Sequence, residues 1–437
     1  MKRSFRQANV LGKNIKKLII VWLKSDLRQK LLDFRYFYLP RFFSKQCKTA
    51  VFLALNDPQS LILIQVLAPL EKCYDIEFEL NLISGMLSAD VLEPQQWRQW
   101  SLADANVLAA HYQLKTITEY PQQKDLVTGQ QLWQIQRRSL ADACNIFCKT
   151  WYGGFSEHFP ASTPVINSQF KNQDTLSSKG HYLASTILFC GEWFLGIDRL
   201  EHFERKLIKL GLSQKEKSDV CYPKAKLQFL SATKSKNQLE KPINSDTSSV
   251  ITAYISLRSP YSYLGFTQVK QLAEHYQVEL IIKPVLPLMM RDYPISMDKM
   301  RYFFLDTIRE AKLLNIPFED FEDPLGQGVI NCYQLFAYAQ QQNKAVAFME
   351  KMYRVIYVEG VDLTKLNHLQ KLCQQLGLDF QAALVFDLKH PWQQWVQQNL
   401  TELEKLDFWG VPCFVFQDVK VWGQDRLWQI EKAIIES

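Results

Sequence analysis

Ala253-Tyr-Ile-Ser-Leu-Arg-Ser-Pro-Tyr-Ser-Tyr-Leu-Gly-Phe266 joins two kinds of periodicity without a loop between them. Up to Leu257 the residues alternate as a strand does; after Ser259-Pro260 the apolar positions recur every three to four residues, as on a helix. Serine is a favoured helix N-cap, because its oxygen accepts from a backbone N–H that the first turn leaves unpaired, and proline suits the first helical position, where no N–H is needed. The stretch therefore predicts a strand that feeds directly into a helix, with a hydroxyl at the junction and another, Ser262, three residues on.

Read outward, the chain makes the same statement twice. VFLALNDPQSLILIQVLAPLEKCYDIEFEL from Val51 and AYISLRSPYSYLGFTQVKQLAEHYQVELII from Ala253 each carry a β-type run, an x-Pro-x-Ser junction, a helical run and a second strand. Pro58 precedes Glu77 by the same interval as Pro260 precedes Glu279. Later, Gly191 to Leu210 parallels Asp418 to Ile435, each with a Gly-x-Asp-Arg-Leu turn leading into a last helix. Two copies of one fold are expected, 49–212 and 250–437, joined by a Lys-, Ser-, Asn- and Gln-rich linker over 213–249. Between the matched ends, Pro94 to Tyr112 and Gln130 to Lys149 in the first copy read as helix. So do Met297 to Leu314, Val329 to Gln342, Ala345 to Val358, Thr364 to Leu376 and Phe380 to Leu388 in the second. The order is β-α-β, a helical insertion, then β-β-α: one small mixed sheet per copy.

Composition excludes several classes. The 437 residues, 47% hydrophobic and 22% charged, are those of a globular chain with more than one core. No apolar run reaches the roughly 18 residues needed to cross a bilayer. The start has neither a clean apolar core nor an A-x-A-like cleavage site, so an uncleaved N-terminus is expected. Nine scattered cysteines with no Cys-x-x-Cys fit a reducing cytoplasm and disfavour a thiol-disulfide oxidoreductase. Charge is uneven: residues 1–48 hold thirteen Lys and Arg against Asp26 and Asp33, a net +11, which leaves the remainder near −5. Interleaved with Leu18, Trp22, Leu31, Phe34, Tyr36 and Phe37, this basic helical extension could lie on an anionic membrane. The plainer expectation is a helix that packs its apolar side on the protein, and no nucleic-acid-binding motif accompanies the charge.

The element order, with SPYSYLGF, GVPCFVF and VWGQDRL, resembles the DsbA-type thioredoxin-like family, in particular 2-hydroxychromene-2-carboxylate isomerases and kappa-class glutathione transferases. The resemblance covers Val250 to the end, and the first copy resembles a diverged member. It implies an α/β fold of two tandem thioredoxin-like domains, each with a large helical insertion, and glutathione as the cofactor. In thiol-disulfide members the junction is Cys-Pro-x-Cys; here Ser259 and Ser262 put oxygen in place of both sulfurs. The resemblance makes Ser259 the residue that favours the glutathione thiolate, through its hydroxyl and the helix end. It places a cis Pro412 ahead of a strand, with the Val411 main chain on the cysteinyl part of glutathione. Gln424 and Asp425 would meet the γ-glutamyl end, Asp425 also serving as N-cap of the last helix. Ser262 is a supporting or substrate-side candidate, and Arg291 either holds a substrate carboxylate or is simply solvated. Where the family usually has an Asn, Pro287 to Pro294 has none.

In the first copy, Asp57 stands for Ser259 and Leu183-Ala184-Ser185 for Val411-Pro412-Cys413, so that copy is expected to be structural or to bind something other than glutathione. Cys144 and Cys148 have no His or acidic partner on their face, and the seven histidines form no ligand set, so no metal is expected. The implied activity is glutathione-dependent isomerisation of a conjugated, aromatic-derived acid. A kappa-class-like transferase and a non-catalytic scaffold are the alternatives.

Overall fold

The computed structural model describes Leu18 and residues 21–43, 48–84, 91–135, 139–160, 167–214, 219–231 and 249–437. Most of the expected linker, and all of the basic residues before Leu18, lie outside them. The chain divides into two compact units, one of Gln29–Ala225 and one of Lys226–Ser437 with the described residues up to Arg28.

In the N-terminal unit, β1 (Thr49–Leu53) pairs in parallel with β2 (Phe78–Leu82) and antiparallel with β3 (Thr186–Phe189). β3 turns back into β4 (Glu192–Leu195), giving the order β2-β1-β3-β4. The parallel pair needs a crossover, which the Pro58–Glu71 helix supplies. Alternate β1 residues serve opposite faces. Val51 and Leu53 pack with Leu61, Leu63 and Phe203, whereas Ala50 and Phe52 pack with Leu176 of the Asn167–Ser178 helix. The helix expected over Gln130 to Lys149 is two helices, Gln123–Ile135 and Leu140–Tyr152, the second restarted by Ser139, whose hydroxyl caps Asp142 N.

The C-terminal unit repeats the plan with β5 (Val250–Ile255), β6 (Glu279–Pro284), β7 (Cys413–Phe416) and β8 (Val419–Trp422) in the order β6-β5-β7-β8. Val250 faces Glu279 across the parallel pair and Tyr254 faces Cys413 across the antiparallel one. The crossover is the Pro260–Tyr276 helix, and Leu427–Glu436 closes the chain. The insertion holds the five expected helices and a sixth, Trp392–Lys405, that the sequence reading passed over. Tyrosines from the insertion meet buried carbonyls where the parallel strands β5 and β6 end: Tyr353 donates to Ser256 O (3.0 Å), Tyr357 to Leu257 O (3.3 Å) and Tyr333 to Val285 O (2.7 Å). Each would be costly if left unpaired inside the core, so the insertion finishes the strand ends as well as covering them.

Equivalent bonds recur in the two units. Asn172 donates to Leu82 O and Asn399 to Pro284 O, both at 2.9 Å. Glu204 accepts from Tyr74 OH (2.7 Å), Tyr222 N (2.8 Å) and Cys221 N (2.5 Å). Glu431 likewise accepts from Tyr276 OH (3.0 Å), Phe229 N (2.9 Å) and Gln228 N. The stretch read as linker is therefore partly docked: each end helix holds two successive backbone N–H groups on a buried carboxylate.

The basic extension is helical from Asp26, with a π-helical stretch Phe34–Tyr38, to Phe42. Its apolar side is not buried as expected. Phe37 enters the core, but Leu27, Leu31, Phe34, Tyr38 and Phe42 are exposed.

Candidate functional site

The junction folds as the sequence implies. Ser259 has extended backbone angles, and its Oγ accepts from Ser262 N at 3.1 Å, capping the Pro260–Tyr276 helix. That bond uses an oxygen lone pair and leaves the hydroxyl proton available to donate. Ser259 is half-buried, whereas Ser262 is fully buried with its Oγ accepting from Ser256 N (3.3 Å). Ser262 thus fastens the strand end to the first turn, a supporting role. The neighbouring cation is committed: Arg258 pairs with Asp323 through Nε–Oδ1 (2.9 Å) and an η-nitrogen to Oδ2 (3.0 Å).

Val411–Pro412 is a cis peptide. Gly265 brings the helix against it: a Cβ there would stand 2.8 Å from Phe414 Cζ and 3.3 Å from Pro412 Cγ, so a side chain would push helix and loop apart. Pro412 O accepts from Gly423 N (2.8 Å), which ties the loop to the turn after β8. Arg291 is nearly buried rather than solvated and donates to Trp409 O (2.9 Å), with Glu404 at 3.9 Å, so it braces the chain leading to Val411. Cys413 is fully buried, its thiol donates to Gly410 O (3.0 Å), and burial pushes its pKa well up.

Asp425 is not the N-cap of the last helix. It lies inside a 3₁₀ turn, Gln424–Arg426, and Arg426 occupies the cap position without a side-chain cap. The added turn moves the helix start one residue past the expected place. Gln424 is buried; its amide accepts from Gln268 Nε2 (3.0 Å) and donates to Glu310 Oε2 and Asp425 Oδ1 (both 3.3 Å). Its side chain thus orients Asp425 from within the protein, and the half-buried Asp425 is the member of the pair nearer solvent.

Sequence reasoning missed one cluster beside Ser259. Tyr261 OH donates to Asp306 Oδ2 (2.7 Å), whose Oδ1 takes an Arg309 η-nitrogen (2.5 Å). Gln59 donates to Asp104 (2.9 Å) in the other unit, at positions each 202 residues earlier, and that shared shift was the available signal.

The N-terminal counterpart differs in chemistry. Asp57 caps Ser60 N (2.9 Å) and accepts from Ser60 Oγ (2.6 Å), and burial raises its pKa against those bonds. Gly196 N donates to Ser185 O (2.7 Å) as Gly423 N does to Pro412 O, so Ser185, not Ala184, stands in Pro412's place. The expected alignment is one residue off. Ser185 reaches the turn with a left-handed φ of 57°. Neither helix start carries a thiol. Cys144 and Cys148 sit on the Leu140–Tyr152 helix; the hydrogen bond from Cys144 lowers the Cys148 pKa to about 7 despite its burial, with help from Lys115.

Residues 250–435 match the family described as DSBA-like thioredoxin domain, and the C-terminal part of the chain carries such a domain. It is similar to the 2-hydroxychromene-2-carboxylate isomerase of Sphingobium xenophagum, 26% identical over 194 residues, covering 43% of this chain and 98% of that protein. The isomerase of the same name from Pseudomonas putida is 27% identical over 200 residues, covering 42% and 94%. Among solved structures, a selenomethionine 2-hydroxychromene-2-carboxylate isomerase aligns at 20% identity with a TM-score of 0.38, over 43% of this chain and 95% of that one. The cytosolic disulfide reductase DsbM from Pseudomonas aeruginosa aligns at 16% and 0.33, over 43% and 97%.

Proposed function

We propose that the C-terminal unit is a glutathione-dependent isomerase of the 2-hydroxychromene-2-carboxylate isomerase type, acting on a conjugated, aromatic-derived acid. The observation that carries this is the Ser259 cap: a hydroxyl with its proton unspent, at the N-terminus of a 17-residue helix packed against the Val411–Pro412 loop. Glutathione held there would supply a thiolate nucleophile for reversible addition to the conjugated acid, the chemistry that would free a bond of the acid to rotate. Ser259 donates to the sulfur, and the helix end adds its positive potential; both favour the thiolate. The Val411 main chain pairs with the cysteinyl residue. Asp425 takes the α-ammonium, Gln424 keeping its carboxylate in position through Gln268 and Glu310. Arg291 positions the loop. With oxygen at Ser259 and Cys413 buried, these positions offer no thiol of their own for disulfide exchange.

We further infer that the chain is a tandem duplication. Asp57/Ser259, Ser60/Ser262, Tyr74/Tyr276 and Asp104/Asp306 differ by 202 positions, and Asn172/Asn399, Ser185/Pro412 and Glu204/Glu431 by 227, so the second insertion is 25 residues longer. In the first copy the Asp57 carboxylate opposes an incoming thiolate, which leaves one catalytic site per chain.

Calorimetric titration of glutathione into the full chain tests this reading. One site per chain is expected. No binding at millimolar glutathione would refute the assignment, and two sites would refute the argument from Asp57.

A further inference from the structure

The helix ahead of β1 has two apolar faces, and the function proposed above uses neither. One holds it to the N-terminal unit. Phe37 is 1% exposed, Asp33 forms an ion pair with Lys206 (3.0 Å), and Gln29 donates to Glu192 (2.7 Å). The other turns outward: Leu31, Phe34, Tyr38 and Phe42 follow at steps of three, four and four residues, one stripe along the helix, at 47%, 56%, 51% and 83% exposure. A soluble surface normally scatters such side chains singly, and a contiguous row of them marks a contact surface.

Charge identifies the partner. Lys30, Arg35 and Arg41 are exposed and flank the stripe on its two sides. Arg41 lies over the Phe37 ring (4.1 Å) and Arg35 over the Tyr36 ring (5.2 Å), so both cations rest on aromatic surface at the rim. The only acid between Gln29 and Lys48 is Asp33, which is buried and paired with Lys206. The outward face is therefore apolar along its middle and positive along both edges. Residues 29–42 span about 21 Å at 1.5 Å per residue, too short to cross a bilayer but suited to lying in its surface. We propose that this face docks on an anionic lipid bilayer, with Leu31, Phe34, Tyr38 and Phe42 entering the acyl boundary and Lys30, Arg35 and Arg41 meeting acidic headgroups.

Flotation of the full chain with vesicles tests the proposal, comparing phosphatidylcholine alone with phosphatidylcholine containing phosphatidylserine. Binding is expected to the anionic vesicles only and to fall steeply with salt. Lys30→Gln, Arg35→Gln and Arg41→Gln together should weaken it about 100-fold, near fivefold for each charge. Phe34→Glu with Phe42→Glu should abolish flotation while leaving the circular-dichroism melt unchanged, since both side chains are exposed. Equal flotation with neutral vesicles, no flotation at low salt, or variants that float like the parent would overturn the proposal. So would a concentration-dependent dimer that dissociates in the Phe34→Glu/Phe42→Glu variant, because a second copy would then cover the stripe.

Discussion

Ser259→Ala separates the capping role that the side chain has from the chemical role proposed for it. The first is structural: Ser259 Oγ accepts from Ser262 N at 3.1 Å, and removing that cap costs about 1 kcal/mol. Ser262 keeps its own bond to Ser256 N, so the junction stays closed and the fold survives. The second is chemical. Hydrogen bonds to charged groups contribute about 1.5–3 kcal/mol, and at 1.36 kcal/mol per tenfold the loss of a donor to the thiolate slows turnover by roughly one to two orders of magnitude. The same loss raises the thiol pKa of bound glutathione, because only the charged form is favoured by the donor. The assay is ultraviolet thiolate absorbance of the bound tripeptide titrated against pH, with turnover of a chromene-type acid measured on the same preparation. Binding of glutathione should persist, the titration midpoint should move upward, and turnover should fall. An unmoved midpoint with undiminished turnover would reduce Ser259 to a cap and refute the mechanism.

Glu431 is fully buried and accepts from Gln228 N, Phe229 N and Tyr276 OH. Glu431→Ala orphans three donors at ~1–3 kcal/mol each, so chemical denaturation should show a loss of at least about 3 kcal/mol, with Glu431→Gln losing distinctly less. A loss below about 1 kcal/mol in Glu431→Ala would mean that the docked segment does not depend on this carboxylate. In the other unit, the lowered Cys148 pKa makes it the thiol that alkylates fastest at neutral pH among Cys144, Cys148 and Cys413. Its labelling rate should rise through pH 7, and Lys115→Met should shift that rise upward; peptide mapping that finds Cys413 labelled first would contradict the assignment.

The sequence by itself determined what is encoded locally. Ser259-Pro260 fixes a strand-to-helix junction because cap chemistry and the proline ring act within one turn, and the structure has that cap, that helix start and the hairpin before the last helix. The recurrence at 202 positions was legible for the same reason, since both stretches carry the same local signals. What depends on distant partners was not. By resemblance Gln424 reads as a contact to the γ-glutamyl end of glutathione; only the fold shows Gln268 and Glu310, 156 and 114 positions away, holding its amide. Arg291 reads as a substrate-carboxylate holder or a solvated cation until Trp409 O meets it. Asp425 loses the cap position to an added 3₁₀ turn, and Ser185 takes Pro412's place by strand register rather than by alignment. The basic helix makes the same point in reverse: its periodicity defines two apolar faces, but only the packing of Phe37 and the Asp33–Lys206 pair decides which one is buried and which is left facing out. A helical pattern fixes angles between side chains, while the choice of the face that is buried belongs to the surface it meets.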